Sequence, residues 1–499
     1  MNICLLNDSF PPVIDGVANV VLNYGKILSE RLDSKVVVGT PRYPDADYEG
    51  YPYKVFAYPS LDTTELVHGY RAGNPLAMRE IMQMAEFGPD IIHTHCPASS
   101  AIMARVLQNE TGAPIVFTYH TKFDVDIARA VGDGFLKKET IKQMVKNISA
   151  MDEVWVVSEG AGDNLRSLGY EGEYLVMNNG VDFPKGRISA DKVAEVTRDV
   201  DLPEGVPVFL FVGRMMKYKG LPIIIDAMKI LSEQGVNYRM LFIGGGKDSE
   251  EMQAKVKEYG IDDKVLFLGP IHDREVLRAW NTRADLFLFP SVYDTNGIVV
   301  REAAACGLAS VLIKGSCAAE GITHGRNGYL VDETPESMAA LLKELSDKHD
   351  TMKDVGQHAM DEIYISWEDA VRAAYDRYAV IREKVKDGSL VHKKKQSSDY
   401  LLESASMILK GTEHIFDISR NIYGGMKENY EDFVENVKEE IEGFKDSLPD
   451  GVKEFSENAK EFTENAKKNV KDNVKKGMEF AEKSVREGID ISINGMKMD

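Results

Sequence analysis

The sequence predicts an α/β protein with two doubly wound, Rossmann-like domains facing a crevice and a helical extension at the C-terminal end. Three observations carry this. Short apolar runs alternate with helical patterns through residues 1–365, the signature of βαβ units and parallel sheets. Twelve such runs are too many for one ordinary sheet, and a polar, Pro/Gly-punctuated segment at 182–207 divides them six and six. Beyond residue 384 the strand signal stops and long helical periodicity replaces it.

In the first half the apolar runs are 3–6, 35–39, 91–95, 115–120, 153–158 and 174–177. In the second they are 208–212, 239–243, 264–268, 284–290, 310–313 and 329–331. Right-handed crossovers would join successive strands. This sets domains at 1–183 and 184–366, with 182–207 as the linker between them. A cross-over helix at 367–390 ends the second domain and is placed to reach back to the first. An amphipathic helical extension fills 391–499, opening on a basic patch at 392–395 that precedes the long helical patterns. Over 452–489 its apolar positions recur at about 3.7 residues per turn, nearer the 11-residue repeat than the heptad. The stripe therefore stays nearly straight along about 58 Å of helix. A straight apolar face suits a lipid surface, packing on another helix or a second copy, or partial disorder, and these three stay open.

With 499 residues, 43% of them hydrophobic, the chain can bury large cores and fill two or three domains. Its net charge is −20, from 60 basic and 80 acidic residues, which argues against a nucleic-acid binder. Cys4, Cys96, Cys306 and Cys317 are scattered without a C-x-x-C pair, as expected of reduced thiols in a cytosolic protein. The first residues form an apolar strand without a basic leader, so no signal peptide is expected. No apolar stretch approaches the length of a membrane-spanning helix.

The segment SVYDTNGIVVREAAACG carries the most chemistry: Asp294 ends a strand and Glu302 lies in the first turns of the next helix. Both carboxylates face the crevice beyond the strand ends, where open α/β sheets bind ligands. Between them, Asn296, Gly297 and Ile298 can offer free backbone N–H groups to hydroxyls or an anion. The alternatives are two acids gripping a polyhydroxylated nucleotide sugar, or a capping Asp beside a surface Glu. In VFLFVGRMMKYKG, Arg214 and Lys219 stand beside a strand end and can neutralise a leaving diphosphate, unless they are merely solvated loop cations. In NDSFPPVIDGVANVV, Gly16 starts a helix and would let a phosphate approach. FIGGGKD fits neither a dinucleotide nor a P-loop pattern and is expected to be an ordinary strand-to-helix turn.

His93, His95 and His120 fall at strand ends. No carboxylate or second Cys sits at ligand spacing, so a structural role is expected for the first two and no metal is assigned. His120 is the better functional candidate, opposite Arg214. The Asp-x-Asp pairs at 45–47, 124–126 and 199–201 lie in loop-like contexts and are assigned no metal either. Lys138, Lys142 and Lys146 recur every fourth residue in a basic stretch with Phe135, Leu136, Met144, Val145 and Ile148 around them, as in a site for anionic lipid headgroups or a solvated helix face.

Taken in order, PPVIDGV, DIIHTHCP, TYHTKFD, VVSEGAGDNL, NNGVD, VGRMMKYKG, FLGPI, ADLFLFPS, the Asp294–Glu302 segment and HGRNGYLV resemble the retaining GT-B glycosyltransferases of family four, the sucrose-synthase-like family. The resemblance covers about residues 1–385, and TYHTKFD with the basic helix after it is most similar to bacterial diacylglycerol glucosyltransferases. It implies a GT-B fold and transfer of a hexose, expected from UDP-glucose, to a membrane lipid, expected to be 1,2-diacylglycerol. Arg214 and Lys219 would hold the donor diphosphate, with Gly16 approaching it from the other domain. Glu302 would bind the ribose, and Asp294 with the N–H groups of Asn296, Gly297 and Ile298 would hold the sugar. His120 would touch that sugar near the reacting centre. The family's usual Glu-x7-Glu has Asp294 at its first position here. No cofactor or metal is implied, and the leaving phosphate would take the acceptor's proton. The implied partners are a nucleotide sugar, a lipid acceptor and a membrane surface, with the protein cytoplasmic and peripheral on the inner face. A soluble or phosphatidylinositol-type acceptor, a silent surface-coating scaffold and self-association through the C-terminal helices stay open as alternatives.

Overall fold

The structure is a computed structural model; it describes residues 1–393 apart from 14, 64–70, 125–126 and 128–133, with backbone alone at 135 and 136. From residue 394 onward the expected amphipathic extension lies outside the described residues.

The first sheet contains β1 (Asn2–Leu6), β2 (Lys35–Pro41) and β3 (Lys54–Tyr58), followed after a short antiparallel pair, β4 (Ser60–Asp62) and β5 (Arg71–Gly73), by β6 (Ile91–Thr94), β7 (Ile115–Tyr119), β8 (Glu153–Val156) and β9 (Leu175–Val176). Its seven parallel strands run in the order β3-β2-β1-β6-β7-β8-β9. The second sheet contains β10 (Val208–Val212), β11 (Arg239–Ile243), β12 (Val265–Gly269), β13 (Leu286–Phe289), β14 (Ala309–Ile313) and β15 (Tyr329–Val331), in the order β12-β11-β10-β13-β14-β15. Both are the doubly wound sheets the alternation predicts, and all twelve expected runs are strands. Runs such as LFLF in β13 are buried at every residue because helices cover both faces.

Three short strands escape the pattern. In β3 burial alternates along KVFAY, as befits an edge strand, so no continuous apolar run announces it. The hairpin of β4 and β5 is largely solvated. The segment expected to be a plain linker also holds a helix, Ala190–Thr197, whose cap Ser189 accepts from the Lys192 N–H. It packs on the Arg274–Arg283 helix through too few apolar side chains to stand out in sequence.

Each sheet reverses its order beside its first strand, between β1 and β6 and between β10 and β13. Such switch points open a crevice past the carboxyl ends of the strands. The chain crosses between the sheets twice, and the crossings lie together: Val181 bridges Ser366, and the Val181 N–H donates to Ile365 O at 3.0 Å. A Cβ on Gly180 would fall 2.4 Å from the Trp367 backbone, so only glycine permits this approach. The helix Trp367–Lys386, capped by Ser366, then packs in the first domain's core, burying Trp367, Val371, Tyr378 and Ile381 with Trp155 and Ile3. Side chains of that size contribute roughly 1.5–3 kcal/mol each on burial.

Candidate active site

On the second domain, the site is assembled by backbone approaches that only glycine allows. Gly220 ends the turn Lys217–Lys219 at φ +81°, and a Cβ there would lie 2.4 Å from the Pro290 carbonyl oxygen. This holds Lys219 against the loop after β13. There the Lys219 ammonium pairs with Asp294 Oδ1, while Ser291 Oγ donates to Asp294 Oδ2 at 2.5 Å. Gly244 packs so tightly on Gly213 that a Cβ would sit 2.0 Å from its carbonyl oxygen, and Gly246 does the same to Met215 at 2.4 Å. The FIGGGKD loop is the expected strand-to-helix turn, packed closely on the Gly213 and Met215 backbone. With Arg214 it walls a cleft of about 200 Å³ lined also by Val212, Gly213, Ile243, Pro270 and Ile271. Arg214 is exposed, and its guanidinium makes no hydrogen bond or ion pair among the described residues.

Gly297 adopts φ +59°, and a Cβ there would reach 3.0 Å from the Ala318 methyl. From this left-handed residue the helix Ile298–Ala305 starts. The N–H groups of Asn296, Gly297 and Ile298 have no backbone acceptor among the described residues, as is usual at the start of a helix. Glu302 lies one turn in, and Arg274 Nη2 approaches its Oε1 at 2.7 Å. Burial pushes the Glu302 carboxyl up, and the Arg274 charge opposes that shift. Arg274 also lies 3.7 Å from Asp182 and stacks over Phe183 at 4.3 Å. Sequence reasoning missed Arg274, since nothing local links it to an acid 28 residues on.

The first domain meets this loop through strand ends. Thr295 Oγ1 donates to His120 O at 2.6 Å, Asn296 Nδ2 to Val157 O at 2.5 Å, and Lys122 Nζ to Val292 O at 3.0 Å. Ser158 Oγ adds a bond to Thr295 O. His120 thus sits beside the Asp294–Ile298 loop. The Asn296 Nδ2 is thereby committed to the first domain. His120 Nε2 lies 3.0 Å from His95 Nδ1, while His120 Nδ1 and His95 Nε2 are buried without partners. Burial lowers His120 to about 3, so at neutral pH it offers a neutral hydrogen bond and not a charge. His93 is structural, bonded to Tyr378 Oη at 2.5 Å and Thr118 Oγ1 at 2.7 Å. Among the described residues no group of three or more His, Cys, Asp or Glu could hold a metal.

Gly16 opens the helix Gly16–Glu30, capped by Asp15 through 2.7 Å bonds to the Val17 and Ala18 N–H groups. A Cβ on Gly16 would meet nothing within 4 Å, so space lies open before that helix start. Asp8, after β1, was not singled out in the sequence. Its carboxylate accepts from the Ser100 N–H at 2.8 Å, yet Oδ2 is buried without a partner, as are the Tyr43 and Tyr58 hydroxyls. Lys138 and Lys142 are exposed on the helix Phe135–Ser149 and Lys146 is half-buried, while Met144, Val145 and Ile148 anchor that helix; these lysines do not join the crevice groups.

Two family models match successive stretches of the chain: "Glycosyltransferase Family 4" over residues 14–184 and "Glycosyl transferases group 1" over residues 193–361. The chain belongs to the GT-B glycosyltransferases of family four. Among its family relatives, the D-inositol 3-phosphate glycosyltransferase of Pseudarthrobacter chlorophenolicus is 28% identical over 301 residues, 58% of this chain and 62% of that one. The chain therefore spans under two thirds of that relative. The alpha-monoglucosyldiacylglycerol synthase of Streptococcus pneumoniae is 22% identical over 315 residues, 62% of this chain and 70% of that one. The GT-B fold is shared with Anabaena Alr3699/HepE, solved in complex with UDP, at TM-score 0.61 and 17% identity, covering 76% of this chain and 100% of that one.

Proposed function

We propose that this glycosyltransferase moves a hexose from UDP-glucose, with retention of configuration, to the hydroxyl of a membrane lipid, 1,2-diacylglycerol. The observation that carries the reading is the crevice itself. It sets Lys219 paired with Asp294, an uncommitted Arg214 and three helix-start N–H groups against the neutral His120. Arg214 and Lys219 would neutralise the diphosphate as it leaves, where preorganised charge lowers the barrier most. Asp294 would pass from Lys219 to a sugar hydroxyl, beside the N–H groups of Asn296, Gly297 and Ile298. Glu302 would take the ribose hydroxyls, and Gly16 would leave room for phosphate. His120 would hydrogen-bond the sugar without adding charge. The leaving phosphate would accept the acceptor's proton on the same face. The two cations supply the charge needed there, so no metal or other cofactor enters the proposal.

The lipid acceptor rests on Lys138 and Lys142 exposed on a helix anchored by apolar residues, with Lys146 beside them, and on likeness to the pneumococcal diacylglycerol enzyme. No helix of the described residues is long and apolar enough to cross a membrane. The protein would act from the cytoplasm, peripheral on the inner face. Incubation with UDP-glucose and diacylglycerol vesicles should yield a glycolipid and UDP. An absence of turnover across several lipids and donors would exclude the proposal. A second reading keeps the transfer but gives it a soluble or inositol-type acceptor, favoured by the relative named for inositol phosphate. Failure to float with vesicles, together with activity on a free polyol, would select it.

A further inference from the structure

We infer that Arg301 is a positioning residue that couples the hinge between the domains to the donor loop. This rests on the reading of 294–302 as the donor site. Arg301 precedes Glu302 on the helix Ile298–Ala305, and its guanidinium reaches three separate segments. Nη2 donates to Asn178 Oδ1 at 2.8 Å, Nη1 to Ile363 O at 3.1 Å, and Nε to Asn296 Oδ1 at 3.3 Å. Asn178 and Ile363 stand just before the two crossings that meet at the Val181–Ser366 bridge. Asn296 belongs to the loop that offers its N–H groups to the ligand, and its own Nδ2 holds Val157 O in the first domain. One planar group thus ties both crossings to the loop. A guanidinium suits this because its donors have fixed directions, so a rotation at the hinge cannot leave the Asn296 geometry untouched.

Glu320 strengthens the coupling from the same side. It receives the Glu159 and Gly160 N–H groups at 2.8 and 2.6 Å, at the start of the first domain's helix Glu159–Ser167. Burial pulls the Arg301 guanidinium's pKa down, and the Glu320 charge opposes that shift. Opening the crevice would have to break these bonds together with the Arg301 clasp. Closing it would set Asn296, and with it the N–H groups of Gly297 and Ile298, in their binding position. Arg301 touches no reacting atom in this scheme; it acts through Asn296.

The test uses the full chain, with wild type first shown to bind UDP by thermal shift and to turn over UDP-glucose. If wild type does neither, the donor-site reading fails before this inference is reached. Arg301→Lys, Arg301→Gln and Asn178→Ala are then compared for donor KM, kcat and the ratio of transfer to donor hydrolysis. Each variant should raise donor KM about fivefold, the factor expected when one such hydrogen bond is lost. Hydrolysis should rise relative to transfer because a loosened crevice admits water. kcat at saturating donor should change less than about twofold. The Asn178→Ala and Arg301→Gln effects should be non-additive in the double variant, since they break the same clasp. Should Arg301→Gln fail to fold, Asn178→Ala and Arg301→Lys decide alone. Wild-type KM and wild-type transfer-to-hydrolysis ratio in those two variants would overturn the inference.

Discussion

Asp8 gives the prediction whose size can be worked from the structure. Its carboxylate sits past the end of β1 with Oδ2 shut off from solvent and unpartnered, and burial raises its pKa from 3.8 to about 6 against the opposing Ser100 bonds. A raised carboxyl favours the protonated folded protein. The associated stability is therefore present below about pH 3.8 and lost as pH rises through about 6. The difference corresponds to about 3 kcal/mol at most, and to ~2 kcal/mol once the residue's partial exposure is allowed for. Asp8→Asn keeps an oxygen for the Ser100 N–H and cannot ionise. Urea unfolding of both proteins should be followed from pH 4 to 8, so that all other titrations cancel in the difference. The wild type should lose ~2 kcal/mol relative to Asp8→Asn between pH 4 and 6.5 and stay level above. A flat difference across that range would refute the claim that an ionised carboxylate is held there at a cost.

Three more expectations concern the crevice and the basic helix. Lys219→Ala should lower kcat/KM about 10²–10³-fold in initial-rate assays, because a preorganised cation is lost and Asp294 is left unpaired. Gly297→Ala should cost roughly 1–2 kcal/mol in urea unfolding for its left-handed backbone alone, and its Cβ would crowd Ala318, so UDP affinity by titration should fall as well. Charge reversal of Lys138 and Lys142 together should weaken binding to anionic vesicles, at roughly 1 kcal/mol per lysine removed. Flotation at low and high salt would show it, and transfer to a water-soluble acceptor should persist.

Much of this architecture was legible in the sequence because parallel strands covered on both faces become continuous apolar runs, as in LFLF of β13. β3 was hidden for the converse reason, an edge strand buried on alternate residues. Asp294, Glu302, Arg214 and Lys219 could be named from the strand ends they follow, which are local facts. Their partners were not local. Arg274 reaches Glu302 across 28 residues, Arg301 reaches Asn178 across 123, and Asn296 reaches Val157 across 139. No periodicity encodes such pairings. The close packing of the 244–246 turn was not legible because it rests on absent side chains: Gly244 and Gly246 let Gly213 and Met215 come close. Asp8 carried no signal beyond an acid after a strand.

A crystal structure of the chain with UDP-glucose tests the central claim most directly. The diphosphate should lie within hydrogen-bond reach of Arg214 and Lys219, the ribose on Glu302, and the sugar between Asp294, the N–H groups of 296–298 and His120. A nucleotide bound with these groups untouched, or in any other part of the molecule, would contradict it.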